Sequence, residues 1–255
     1  MTVAVTGAAG DVTAGGRQVL QHTRFTLAPG EHIRLAPPRV GMRSYLAARG
    51  GFAAEVVFGS ASTYLPAGFG GHDGRALAAG DRLTTEEPAA PLPPDAETPA
   101  LFRPRFSDHA FLRAMPSAEW RLLTAEGRAL LLGSPRRAAR QIDRMGIRLD
   151  GGGAVALRGA AAMDSVAVLP GVVQLPPGGD PVLLGADAQT TGGYPRILSV
   201  IACDRWQIGQ VRPGQAVTFC LRTERAARAC NEYRARALRP WLPDDWVYGP
   251  SEPQA

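Results

Sequence analysis

One local phrase occurs three times in this chain, and it limits the fold more than any other feature. Ala28-Pro29-Gly30-Glu31-His32-Ile33, Ala78-Ala79-Gly80-Asp81-Arg82-Leu83 and Arg212-Pro213-Gly214-Gln215-Ala216-Val217 each read as a turn feeding a strand. Proline at the second turn position presets φ, glycine after it supplies the positive φ of a type II turn, and the residues that follow alternate polar and apolar. Recurrence in both halves predicts two related β modules. Period-two patterns at Arg24-Phe25-Thr26-Leu27, Ile33-Arg34-Leu35 and Val217-Thr218-Phe219-Cys220-Leu221 predict strands, and 30 glycines with 22 prolines leave room for few long helices. Helix signals occur at Ser107 to Arg113, at Ser134 to Gln141, where Ser134 and Pro135 suit the N-cap and first helical position, and from Glu224 to Leu238. The proline-dense stretch Glu86 to Asp95 reads as an extended linker.

The charged residues exclude several chemistries. All 28 Lys+Arg residues are arginine. A Walker-A loop, a Schiff-base enzyme and a biotin carrier each need a lysine, so none resides here. Net charge is +5, but the arginines are spread along the chain without interleaved aromatics, which argues against a nucleic-acid partner. Three cysteines, Cys203, Cys220 and Cys230, and four scattered histidines show no metal-ligand spacing, so no metal is expected. No apolar run approaches the ~18 residues of a membrane span, and the start has no basic, apolar-core or cleavage segments of a secretory signal, so a cytoplasmic location is expected.

The segments that carry polar chemistry are few. The densest is Gly185-Ala186-Asp187-Ala188-Gln189-Thr190-Thr191-Gly192-Gly193-Tyr194-Pro195-Arg196-Ile197, after a buried-type strand from Pro181 to Leu184. A Gly-Gly pair lets backbone N–H groups converge on an anion, and Gln189 with two threonine hydroxyls offers hydrogen bonds to a carboxylate, ureido group or phosphate. The competing reading is a structural loop with a tight turn at Gly192-Gly193. A second candidate is Asp143-Arg144-Met145-Gly146, where Arg144 would neutralise a carboxylate or phosphate, although such a pair is more often a surface ion pair. A weaker third is the hydroxyl-rich loop at Ser60, Ser62 and Thr63, where no base is placed to activate a nucleophile.

At these residues the chain resembles the family that holds one of the 5-oxoprolinase subunits, allophanate hydrolase subunit 2, the carboxyltransferase part of urea carboxylase and the antagonist of the sporulation kinase inhibitor. The resemblance runs from Val5-Thr6-Gly7-Ala8 through Gly41-Met42-Arg43-Ser44-Tyr45-Leu46-Ala47-Ala48-Arg49-Gly50-Gly51, the Gly59 loop and Asp143-Arg144-Met145-Gly146 to Gln189-Thr190-Thr191-Gly192-Gly193-Tyr194-Pro195. It implies an all-β fold of two cyclophilin-like β-barrel domains: 1–84, N-terminally shortened because a Q-D-x-G-R opening phrase is not found, and 105–239, closed by a helix. Between them lies a linker at 85–104, and after them a tail at 240–255 whose Trp241, Trp246 and Tyr248 are expected to pack on this chain. The implied activity is that of a subunit of an ATP-dependent 5-oxoprolinase, opening 5-oxo-L-proline to L-glutamate with a homologous partner subunit, similar to allophanate hydrolase subunit 1, and with a third subunit. ATP would be bound by or with a partner. The alternatives are carboxyl transfer from biotin on a separate carrier to urea, and a non-catalytic regulatory paralogue. Where relatives commonly carry arginine this chain has Ala61 and Ala188, which favours the last. Substrate or nucleotide binding is expected at Asp143, Arg144, Asp187, Gln189, Thr190, Thr191, Gly192, Gly193 and Tyr194, with Ser60, Ser62 and Thr63 as weaker candidates.

Overall fold

The structure, a computed structural model, describes residues 1–88, 97–159 and 163–240. The tail with Trp241, Trp246 and Tyr248, and most of the proline-dense stretch, lie outside the described residues. The chain divides into two compact units, Met1–Phe106 and Ser107–Ala255. Residues 97–104, assigned to the linker from sequence, fold into the first unit: Thr98 N donates to His22 O, and the Arg103 guanidinium bonds Glu97 and Thr98 O.

In the first unit β1 (Thr2–Ala9), β2 (Val12–Ala14), β3 (Arg17–Val19), β4 (Arg24–Thr26), β5 (Ile33–Leu35) and β6 (Val40–Ala48) form two three-stranded sheets, ordered β4-β1-β6 and β3-β2-β5. Neither sheet closes into a barrel among the described residues, and the two sheets share one small core of Val3, Ala14 and Leu27. Register between β1 and β6 shifts after Gly7, whose φ is +91°; a Cβ there would sit 2.4 Å from Arg43 O, so only glycine fits. After β6 the chain to residue 88 is held by isolated bridges such as Phe52 with Thr85 and Tyr64 with Phe69.

The second unit is built around a closed seven-stranded barrel. Its strands are β7 (His109–Pro116), β8 (Arg136–Ala138), β9 (Gly146–Asp150), β11 (Val172–Gln174), β12 (Val182–Leu184), β14 (Arg196–Val200) and β15 (Ala216–Leu221), in the order β11-β12-β9-β8-β15-β7-β14. The remaining pair, β10 (Val166–Ala167) and β13 (Thr191–Gly192), forms a separate ribbon. Alternate residues point inward: Ala110, Leu112 and Ala114 on β7, Ile147 and Leu149 on β9, Val217 and Phe219 on β15. Each fully buried leucine contributes about 1.5–3 kcal/mol.

Two helix expectations give way to strands. His109 to Pro116 alternates buried and open positions with period two, and Arg136 and Ala138 are buried while Arg137 is exposed. Barrel closure rewards that alternation more than the local N-cap signal at Ser134-Pro135 rewards a helix. The helix lies just before it, as α1 (Ala125–Gly133), capped by Thr124 Oγ1 accepting from Gly127 N at 2.9 Å and placing Leu131 in the barrel core. A single turn, α2 (Arg205–Ile208), precedes β15. The expected closing helix is α3 (Glu224–Leu238), with Thr223 as N-cap and Ala227 packed on Ile201 and Cys203.

All three repeated phrases form the turn expected of them. Glu31 N, Asp81 N and Gln215 N each donate to the carbonyl three residues back, and Gly30, Gly80 and Gly214 have φ of 79°, 94° and 78°. The fourth residue also closes the turn: Glu31, Asp81 and Gln215 accept from the N–H of Ala28, Ala78 and Arg212 at 2.8, 2.6 and 2.8 Å. The first and third turns lead into β5 and β15, and the second into the isolated bridge at Thr85.

Candidate functional site

β11 carries the key to the polar loop. All three of its residues are buried. Val173 joins the barrel core, while Val172 lies on the opposite face in an apolar patch with Val168 and Leu184. By strand alternation Gln174 shares the face of Val172, outside the core and under the β10-β13 ribbon. It is 2% exposed, and a buried carboxamide needs partners. Its Nε2 donates to Tyr194 O at 3.3 Å, and its Oε1 accepts from Gln189 Nε2 at 3.4 Å. Gln174 thus ties together the two ends of the segment 189–194.

The segment is braced on its flank too. β10 and β13 pair with Val166 opposite Gly192 and Ala167 opposite Thr191, Val168 N donates to Thr190 O at 2.9 Å, and Met163 N donates to Gly193 O at 3.0 Å. Arg196 locks the far end: Nε and NH2 grip both oxygens of Glu119 at 2.9 and 3.0 Å, and NH1 donates to Ala167 O at 3.0 Å. The Arg196 guanidinium holds the Glu119 carboxyl below its ordinary range.

Gly192 and Gly193 do not make the tight turn or the amide nest read from sequence. Neither has a positive φ. They are glycines for want of room: a Cβ at Gly192 would lie 2.6 Å from Gln174 Nε2, and one at Gly193 would lie 2.9 Å from Met163 O. What the segment presents outward is side chains. Gln189, Thr190 and Thr191 are exposed, Tyr194 is 43% exposed, and among the described residues neither threonine hydroxyl takes a hydrogen bond.

The second candidate meets the same segment at its start. Arg144 Nε and NH2 bond the two oxygens of Asp187 at 2.6 and 2.7 Å, and Asp187 N donates to Arg144 O at 2.9 Å. The fork expected to neutralise a ligand's anion is therefore taken by Asp187, a residue of this chain, and its work is to fix where the loop begins. Gly185 permits the approach, since a Cβ there would sit 2.3 Å from Arg144 O. Asp143 is exposed and caps the adjacent turn, accepting from Met145 N at 2.8 Å and Gly146 N at 3.1 Å. Ala188 packs against Val168, Val172 and Leu184.

Ser60, Ser62 and Thr63 belong to the first unit and serve local turns there. Ser60 Oγ accepts from Ser62 N at 3.2 Å, and Thr63 Oγ1 accepts from His72 N at 3.3 Å. Gln174 escapes a reading of the sequence because it sits in an otherwise apolar run, Val172-Val173-Gln174-Leu175, with nothing nearby to mark it. That lone amide in a buried strand is the available signal. Among the described residues no group of three or more His, Cys, Asp or Glu could hold a metal ion, and no helix is long and apolar enough to cross a membrane.

Residues 1–221 match the family described as carboxyltransferase domain, subdomain A and B. The chain belongs to this family. Within the carboxyltransferase-domain family it is 34% identical over 219 residues to a 5-oxoprolinase subunit of Haemophilus influenzae, covering 86% of this chain and 69% of that protein. It is 36% identical over 219 residues to the corresponding 5-oxoprolinase subunit of Escherichia coli, covering 85% and 68%. The solved urea carboxylase of Kluyveromyces lactis shares the fold, with a TM-score of 0.86 at 21% identity over 94% of this chain and 23% of that one. The chain spans about two thirds of the length of the two curated relatives (69% and 68%) and less than a quarter of the solved one. All of the Gln189–Tyr194 segment falls within the family match, and α3 lies beyond it.

Proposed function

We propose that this chain is one subunit of an ATP-dependent 5-oxoprolinase, which with partner subunits opens 5-oxo-L-proline to L-glutamate. The observation that carries the reading is the exposed row Gln189, Thr190 and Thr191, braced on a closed barrel with its hydroxyls unused, in a chain 34% and 36% identical to two 5-oxoprolinase subunits. Opening a lactam with water breaks the ring C–N bond and builds negative charge on the carbonyl oxygen. Donors fixed in advance lower that barrier, because they need no reorganisation when the charge develops. The two threonine hydroxyls supply such donors to the carbonyl or to the substrate carboxylate, and Gln189 addresses the amide. Tyr194 forms a wall beside them.

ATP enters through the partner subunits in this reading, since a chain without lysine has no phosphate-binding P-loop of its own. Those partners are a homologous subunit similar to allophanate hydrolase subunit 1 and a third, different subunit, and the assembly works in the cytoplasm. Purified chain combined with the subunits encoded by neighbouring genes should release glutamate from 5-oxoproline only when ATP is present. No turnover with every subunit present rejects the proposal.

A further inference from the structure

Gln174 is costly where it stands. Its neighbours on the outer face of β11 and β12 are Val172, Val182 and Leu184, and a leucine at 174 would complete that patch without burying a carboxamide. Both of its hydrogen bonds go to the candidate loop, to Tyr194 O and from Gln189 Nε2. The amide therefore serves the loop and not the barrel.

Resting on the 5-oxoprolinase reading, we propose that Gln174 is a positioning residue that orients the Gln189 carboxamide so that its remaining N–H and its Oε1 pair with the N–H and C=O of a cis amide. Gln189 spends one N–H on Gln174, and among the described residues its Oε1 takes no hydrogen bond. One donor and one acceptor on a single carboxamide are left for a ligand. A five-membered lactam holds its amide cis, so its N–H and C=O stand side by side and meet that pair with two hydrogen bonds at once. An open-chain secondary amide is trans by about 2.5–4 kcal/mol and offers only one of the two from any one edge. The device selects lactams and cyclic ureido groups over linear amides, and it needs Gln189 held in one orientation, which an exposed glutamine alone would not keep.

The test compares 5-oxoproline with its N-methyl derivative, which keeps the ring and the carbonyl but lacks the N–H. Titration calorimetry on the full chain assembled with its partner subunits should show the N-methyl compound binding about tenfold more weakly, the order expected for one lost hydrogen bond. In Gln174→Leu and in Gln189→Leu the ratio of the two affinities should fall close to one. A purely structural role for Gln174 would alter the melting temperature and leave the ratio alone. Equal affinities in the native assembly, no binding of either compound, or a ratio preserved in Gln189→Leu would overturn the proposal. Discrimination by the native assembly, lost in both variants but accompanied by no ATP-dependent glutamate release, would instead remove the 5-oxoprolinase reading and leave the cis-amide pairing standing.

Discussion

In the second unit the three-residue strand β11 buries all of its side chains, whereas in the first unit the three-residue strand β3 leaves Arg17 and Gln18 exposed and half-buries Val19. Length and backbone are alike, so the difference lies in what covers each face. β11 has the barrel core on one side and the β10-β13 ribbon on the other. β3 is an edge strand in a three-stranded sheet, and its Arg17 reaches out to Glu31 at the surface. Closure gives even very short strands a full set of neighbours. The units also differ in where charge is held. Asp204 of the second unit is 2% exposed and accepts three bonds from Arg113, through backbone N, Nε and NH2, at 3.0, 2.9 and 2.6 Å. The first unit's pairs, such as Arg75 with Asp81, lie in exposed turns.

If this contrast is right, perturbations of the second unit should be severe and those of the first mild. Asp204→Ala leaves Arg113 without its carboxylate and should cost about 3–5 kcal/mol, read by denaturant unfolding. Leu198→Ala, at a fully buried barrel position, should cost about 2–5 kcal/mol, and more than Leu27→Ala in the smaller core of the first unit, with hydrogen exchange assigning each loss to its unit. Glu119→Gln should cost about 1.5–3 kcal/mol at neutral pH. Because Arg196 holds Glu119 below its ordinary value of 4.5, that contribution is whole above pH 4.5 and is lost as pH falls through the lower folded value. The glutamine variant should therefore show a flatter loss of stability below pH 4.5 than the native chain. Gly192→Ala pushes on Gln174 and should cost about 1–3 kcal/mol, with faster exchange confined to residues 189–194. The smallest effect has the opposite sign. Phe58 has φ of 50° in a two-residue hairpin turn between Val57 and Ser60 and is 96% exposed, so Phe58→Asn should stabilise the first unit by about 1 kcal/mol.

The same contrast explains what the sequence made legible. Turn chemistry is local, so Pro29-Gly30, Gly80 and Pro213-Gly214 declared their conformations, and α3 announced itself by fifteen residues free of glycine and proline. His109 to Pro116 and Arg136 to Ala138 carried local helix signals that only barrel closure overrides, and closure depends on partners far along the chain: β7 pairs with β15 and β14. At the site, Gln189, Thr190, Thr191 and Tyr194 stood out by their density of polar groups. Gln174 did not, because its partners are 15 and 20 residues away in sequence and meet it only once the ribbon folds over β11. Nor could spacing tell that Arg144 is claimed by Asp187, 43 residues further on.

Whether residues 189–191 form a ligand-binding edge held rigidly by the barrel is tested most directly by the double variant Thr190→Val, Thr191→Val. Both hydroxyls are exposed and bond nothing in the described residues, so the folded chain should lose no stability. With partner subunits and ATP, glutamate release from 5-oxoproline should fall at least about tenfold while the melting temperature stays within a degree or so of the native value. Undiminished release by the double variant would contradict a binding role for this edge.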